Sequence, residues 1–82
     1  MFTIVIQVER SVLKYFGDQK FYNGFVSQKE VGDKMEMTFV TASLMGFVKF
    51  YLLFGEYADI ISPVELKELV KKNIEAVSEK LK

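Results

Sequence analysis

Arg10, Lys14, Lys20 and Lys34 fall in the first half of the chain, with Tyr15, Phe21 and Tyr22 among them. Cations beside aromatic rings are the groups that neutralise phosphates and stack bases on a sheet. RNA-binding sheets of that kind carry a basic, glycine and aromatic signature in their third strand. Here the corresponding run reads Met35-Glu36-Met37-Thr38-Phe39-Val40 and lacks it. The ingredients of catalysis are sparse. With no His and no Cys, a nucleophile activated by imidazole or thiolate is excluded. Ser11, Ser27, Ser43, Ser62 and Ser78 read as caps, turns or surface. Glu75 and Glu79 lie one helical turn apart on a solvated face, not across a cleft as a glycosidase pair does. Asp18, Glu30, Asp33, Glu36, Glu56 and Asp59 match no metal loop, and the Asp33–Glu36 spacing does not suit an EF-hand. Gly17, Gly24, Gly32, Gly46 and Gly55 form no phosphate-binding spacing. The expectation is a chain without metal, cofactor or catalytic activity.

Composition narrows the class. Half of the 82 residues are hydrophobic and 15% are aromatic, with eight Phe and four Tyr. That length makes one domain, residues 1–82. The chain is too apolar and too evenly charged to be disordered, and without Cys it is no disulfide scaffold. Eleven basic residues against eleven acidic ones leave no net charge, hence no bulk attraction to nucleic acid or to an anionic membrane. The first residues carry neither the basic start nor the small-residue cleavage site of a signal peptide. The most apolar run, residues 44–54, is interrupted by Lys49 and is shorter than the roughly 20 residues that cross a bilayer. A cytoplasmic location and no membrane partner are expected.

Periodicity supplies the elements that would position any site. Residues 2–9 alternate, with Phe2, Ile4, Ile6 and Val8 on one side, as in a strand with one dry face. Residues 10–16 change to a helical period, with Val12, Leu13 and Phe16 together, Ser11 as cap and Gly17 in the left-handed position past the end. Residues 20–29, with Phe21, Tyr22, Phe25 and Val26, read as a second strand. Residues 29–34 make a turn, and 35–41 return with Met35, Met37 and Phe39 on one face. Residues 43–54 are the clearest helix, its stripe being Leu44, Phe47, Val48, Tyr51 and Leu52. Gly46 within it reads as close packing on a strand, and Gly55 as the stop. Residues 58–61 form a short fourth strand. Ser62-Pro63-Val64-Glu65 reads as a capping box, opening a last helix with Leu66, Leu69, Val70, Ile74, Val77 and Leu81 on one stripe. Right-handed crossovers turn this order into a ferredoxin-like α+β fold, βαββαβ. It has a four-stranded antiparallel sheet, helices on one face and an extra C-terminal helix.

Some apolar residues are surplus to that core. Phe50 and Leu53 lie opposite the stripe of the middle helix. Val5, Tyr22, Val26 and Val40 fall on the sheet face turned away from the helices. Gathered together, Val5, Tyr22, Val26, Val40, Phe50 and Leu53 would form an apolar interface. The last helix folding over the open face would remove that reading.

The second half also resembles a known family. Thr41-Ala42-Ser43-Leu44, followed by Leu52-Leu53-Phe54-Gly55-Glu56-Tyr57-Ala58-Asp59-Ile60-Ile61-Ser62-Pro63-Val64-Glu65-Leu66-Lys67-Glu68-Leu69-Val70, is similar to the C-terminal extension, called WCX, of bacterial WYL-domain transcriptional regulators. That extension has a helix ending in Gly, a short hydrophobic strand, Pro-x-x-Leu-Arg and a last helix. A strand, Ser11-Val12-Leu13-Lys14-Tyr15-Phe16 and a hairpin complete the match. The resemblance implies a non-catalytic regulatory and dimerisation module. Its partners would be a second copy of itself and the WYL and helix-turn-helix domains of its parent chain. DNA would be met only through a winged-helix domain that this sequence lacks, and Met1 would not be the parent's natural start. The effector implied is a nucleotide or single-stranded nucleic acid. Lys67 occupies the place where the family usually has Arg, which weakens a bidentate anion contact there. Arg10 and Lys67 are the ligand-binding residues on this reading. The alternative is a free-standing ferredoxin-like small-ligand-binding domain or enzyme. An acylphosphatase-type site would need Arg10 and Asn23 to converge on one anion.

Overall fold

The computed structural model covers residues 1–82. Strand β1 (Phe2–Glu9) buries Ile4, Ile6 and Val8 completely. Strand β3 (Lys34–Thr41) runs antiparallel to it and places Phe39, Met37 and Met35 opposite those three residues. Because side chains alternate, a slip of one residue would turn both dry rows to water, so burial locks the register. Strand β2 (Phe25–Val31) pairs with β3 on the outer side. Strand β4 (Ala58–Ser62) pairs with β1 on its other side and sets Ile60 against Ile6. The order is β2-β3-β1-β4, antiparallel throughout. This is the ferredoxin-like arrangement expected, with helices α1 (Leu44–Leu52) and α2 (Val64–Lys80) against the dry face. No helix is long and apolar enough to cross a membrane.

The first crossover differs from expectation. Instead of an α-helix it consists of two 3-10 segments, Arg10–Tyr15 and Gln19–Asn23. A run this short cannot offset the cost of nucleating an α-helix, and 3-10 turns serve as such connectors. The inward residues are nonetheless those expected: Val12 and Phe16 are buried and Leu13 packs against the core. Gly17 takes a left-handed φ of +53° after the first segment. Phe21 and Tyr22 belong to the second segment, not to a strand. Gly24 is the reason. Its φ is +84°, its carbonyl accepts from the Val40 amide at 2.8 Å, and a Cβ there would collide with the Val40 carbonyl. The chain therefore turns at Gly24 and pairs only from Phe25. The hairpin loop is just Gly32-Asp33, the strands extending into residues read as turn.

Helix α1 starts at Ser43, whose Oγ accepts from the Gly46 amide at 3.2 Å. Its buried residues are Leu44, Phe47, Val48 and Phe50, with Tyr51 partly buried and Leu52 exposed. The expected stripe thus holds at Leu44, Phe47 and Val48 but shifts toward Phe50. The 3-10 crossover brings Phe16 against the helix flank, 5.8 Å from the Phe50 ring and 4.5 Å from Phe54. Phe50 also meets Phe39 and Phe47 edge to face. The helix is covered on two sides, by sheet and crossover, so Phe50 is core and not interface. Gly46 does not touch a strand; the nearest neighbours of a Cβ there would be the Ser43 side chain at 3.7 Å.

The capping box does not form. Ser62 is held in β4 opposite Val5, Pro63 takes the cap position, and no side chain bonds the first turn. Helix α2 packs on α1 and β4, contributing Leu66 and Val70 to the core. It leaves the far face of the sheet open.

Phe50→Ala should cost about 3–5 kcal/mol, the range for a buried ring. Leu53→Ala should stay within about 0.5 kcal/mol. Urea denaturation followed by circular dichroism measures both. Equal effects would contradict the rotation of α1 described above.

Candidate functional site

The open sheet face is polar, contrary to expectation. Lys29 and Gln7 converge on Glu36 from neighbouring strands, Lys29 Nζ at 3.5 Å and Gln7 Nε2 donating at 3.2 Å. Lys34 Nζ donates to Asp59 Oδ2 at 3.1 Å. Thr3, Ser27 and Thr38 fill the intervals. Val5 and Val40 lie on this face, half-buried between threonines. Val26 stands at the irregularity between Phe25 and Ser27 and is exposed. Tyr22 is off the sheet, 84% exposed. The six residues expected to form one interface are therefore dispersed: Val5 and Val40 on the open face, Val26 at an edge, Tyr22 and Leu53 on the helix side, Phe50 inside. Lysines and carboxylates at alternate positions of four strands made the face ionic, and Gly24 took Tyr22 away from it.

Uncovered apolar surface gathers instead on the helix side. Val12, Tyr15, Phe16, Gln19, Phe50, Leu53, Phe54 and Tyr57 line a cleft of about 160 Å³. Its floor is the Phe16, Phe50 and Phe54 rings. Its rim is Tyr15, Leu53 and Tyr57, with Leu53 69% exposed. The volume is close to that of an apolar cavity of about 150 Å³ that takes up benzene. Gln19, Phe50 and Leu53 also border a second, wider cleft with Tyr22, Asn23, Gly46 and Lys49. Leu53 is thus the ridge between two depressions. Such a surface can accept a large apolar side chain, with hydroxyls and an amide at the rim. Leu53 was legible as surplus to the core. Tyr15 stood out only as an aromatic among basic residues and Tyr57 not at all, since their side of the cleft is built by 3-10 segments that helical periodicity does not describe.

The two residues proposed for ligand binding do not meet. The Arg10 guanidinium is paired with the Glu30 carboxylate of β2, one edge of the sheet. Lys67 lines a cleft of about 270 Å³ at the opposite edge, with Tyr51, Ala58, Asp59, Ile60, Val70 and Lys71. Asn23 is engaged with the Gln19 carbonyl at 2.7 Å, so Arg10 and Asn23 do not converge on an anion either. Lys67 and Lys71 form no ion pair, while Asp59 beside them is held by Lys34. No group of three or more carboxylates is placed to hold a metal ion.

Tyr51 ties this edge together. Its hydroxyl lies 2.9 Å from the Ala58 carbonyl oxygen and 3.2 Å from that of Gly55, fixing the end of α1 to the start of β4. Burial pushes the phenol above its ordinary 10.0, and the negative charge of Asp59 adds to the effect. Lys34 is raised above 10.5 by its hydrogen bond to Asp59 and by attraction to that carboxylate. Comparison with protein-family models, with curated proteins and with solved structures finds no significant match.

Both raised groups act in the same direction. Their contributions are intact below the unfolded values of 10.0 for Tyr51 and 10.5 for Lys34, and are lost as pH climbs through the folded ones. Stability should therefore fall along an alkaline limb that starts near pH 10, as the unfolded tyrosine ionises. Asp59→Asn should flatten that limb. Tyr51→Phe should cost about 1 kcal/mol at neutral pH through the lost hydrogen bond and flatten the limb as well. Urea midpoints measured from neutral to strongly alkaline pH check this.

Proposed function

We propose that the chain is a non-catalytic regulatory and dimerisation module of a WYL-type helix-turn-helix transcriptional regulator, of the kind that ends such chains. The observation that carries this reading is the ring-floored cleft with exposed Leu53, Tyr15 and Tyr57 at its rim. Exposed apolar surface around a cleft marks a contact site, and aromatic residues with a few hydroxyls are the usual substance of such contacts. The resemblance of residues 41–70 supports the family, and the ferredoxin-like order is the one that family implies. In an isologous dimer the Leu53 ridge of each copy would meet the same surface of the other. DNA contact falls to a winged-helix domain of the parent chain, in keeping with zero net charge here.

Effector sensing belongs to the lysine-lined cleft at β4 on this reading. Lys67 and Lys71 present two ammonium groups, unpaired with any carboxylate, to the phosphate of a nucleotide or a single-stranded nucleic acid. Lysine in place of arginine makes this a point-charge contact, not a bidentate one. Cytoplasmic location follows from the same proposal.

Size-exclusion chromatography with light scattering tests the dimer. The chain should shift toward a dimer as concentration rises, and Leu53→Glu should weaken that association by about tenfold or more. A strict monomer at millimolar concentration would count against the module. The genomic reading frame is the second check: coding sequence for a WYL barrel and a winged helix should lie upstream, and its absence would remove the regulatory part of the reading.

A further inference from the structure

Helix α2 is longer than the core it serves. Leu66 and Val70 are buried and Leu69 packs against them. The same row continues with Ile74, Val77 and Leu81, which are 53%, 52% and 82% exposed. One apolar row is therefore covered only along its first half. Leu52, exposed at the end of α1, stands beside the second half. Together Leu52, Asn73, Ile74, Val77, Ser78 and Leu81 line an open groove of about 290 Å³.

The charges of α2 sort around this row. At about 100° per residue, Lys71 borders it on the β4 side and Lys80 on the other. Glu65, Glu68, Glu75 and Glu79 fall behind, with Lys72 among them. Glu79 there holds Lys82 Nζ at 2.9 Å, while Lys71 and Lys80 belong to no ion pair. The groove is thus lined by apolar side chains with Asn73 and Ser78, and Lys71 and Lys80 flank it on the helix surface. A second copy of the same row would bring lysine to lysine, with no carboxylate on either border to meet it. An anionic membrane is a poor match for a concave groove on a chain of zero net charge. A groove beside a helix receives the side-chain ridge of another helix, and carboxylates flanking that ridge would complement Lys71 and Lys80.

We propose that the groove between the end of α1 and the second half of α2 docks an amphipathic helix whose apolar row is bordered by Asp or Glu. This goes beyond the regulatory reading and does not depend on it. The cleft at Leu53 takes no part, and of the lysine-lined cleft only Lys71 is shared.

The test is fluorescence anisotropy on the full chain with two labelled helical peptides. Both carry leucines at i, i+3 or i+4, and i+7; one has glutamates at the bordering positions and the other lysines. The glutamate peptide should bind about tenfold more tightly or better, with the difference shrinking as salt is added. Val77→Asp should abolish binding of the glutamate peptide. The double variant Lys71→Glu with Lys80→Glu should reverse the preference. All three residues are exposed, so circular dichroism and the urea midpoint should stay unchanged, separating lost docking from lost folding. Equal binding of the two peptides, no binding of the glutamate peptide, or binding that survives Val77→Asp would each overturn the proposal. So would a dimer dissociated by Val77→Asp but not by Leu53→Glu, which would assign the groove to a second copy.

Discussion

Phe50 is enclosed by four other rings. Phe16 of the crossover, Phe39 of the sheet, and Phe47 and Phe54 of the same helical segment lie with centroids 5.8, 5.7, 5.4 and 4.9 Å from it. All four contacts are edge to face, the arrangement that ring quadrupoles favour. Phe25 extends the network from Phe39, and Phe21 from Phe25. Seven of the eight phenylalanines thus form one connected system that crosses sheet, helix and 3-10 crossover. In so small a domain, where core volume is scarce, this network and the 3-10 crossover take the place of the α-helix expected between β1 and β2.

The rest of the helix side follows from it. To seat Phe50 between Phe16 and Phe39, α1 must turn Leu52 outward, and Leu53, one turn on from Phe50, stands at the rim of the cleft that Phe16 and Phe50 line. The rings that fill the core are the same rings that floor the cleft, so the cleft is a place where the core comes to the surface. The opposite face of the sheet has no such rings. Its middle is taken by cross-strand pairs, Lys29 and Gln7 on Glu36 and Lys34 on Asp59. The molecule is therefore two-sided, ionic on one face and aromatic on the other.

Legibility divided along the same line. Strands β1 and β3 were plain in the sequence because each has one dry face and a period of two, and Ile4, Ile6, Val8, Met35, Met37 and Phe39 all lie where alternation put them. The strand order followed from right-handed crossovers. Leu66 and Val70 were read correctly because α2 meets a single surface. Phe50 was misread because α1 meets two surfaces, and the second is made by residues distant in sequence. Tyr22 was misread because the backbone at Gly24, not side-chain alternation, decides where β2 begins. Val26 sits where the register of β2 shifts, which no local pattern announces. The pairing of Arg10 with Glu30 depends on that same register, so it too was invisible in the sequence. Ile74, Val77 and Leu81 were correctly placed on one stripe with Leu66, but periodicity cannot tell where along a helix the neighbouring core ends.

Strand β2 lies at the margin of the sheet with the backbone groups of its outer side unpaired. Such margins invite another strand to add on and can propagate into fibres. Here Ser27, Gln28, Lys29 and Glu30 put polar groups on both of its faces, and the irregularity after Phe25 disturbs the regular spacing an added strand would need. At the other margin β4 is only five residues long, with α2 packed beside it. Neither end of the sheet is a good template for extension. That leaves the aromatic side free to carry uncovered apolar surface without drawing the molecule into open-ended polymers.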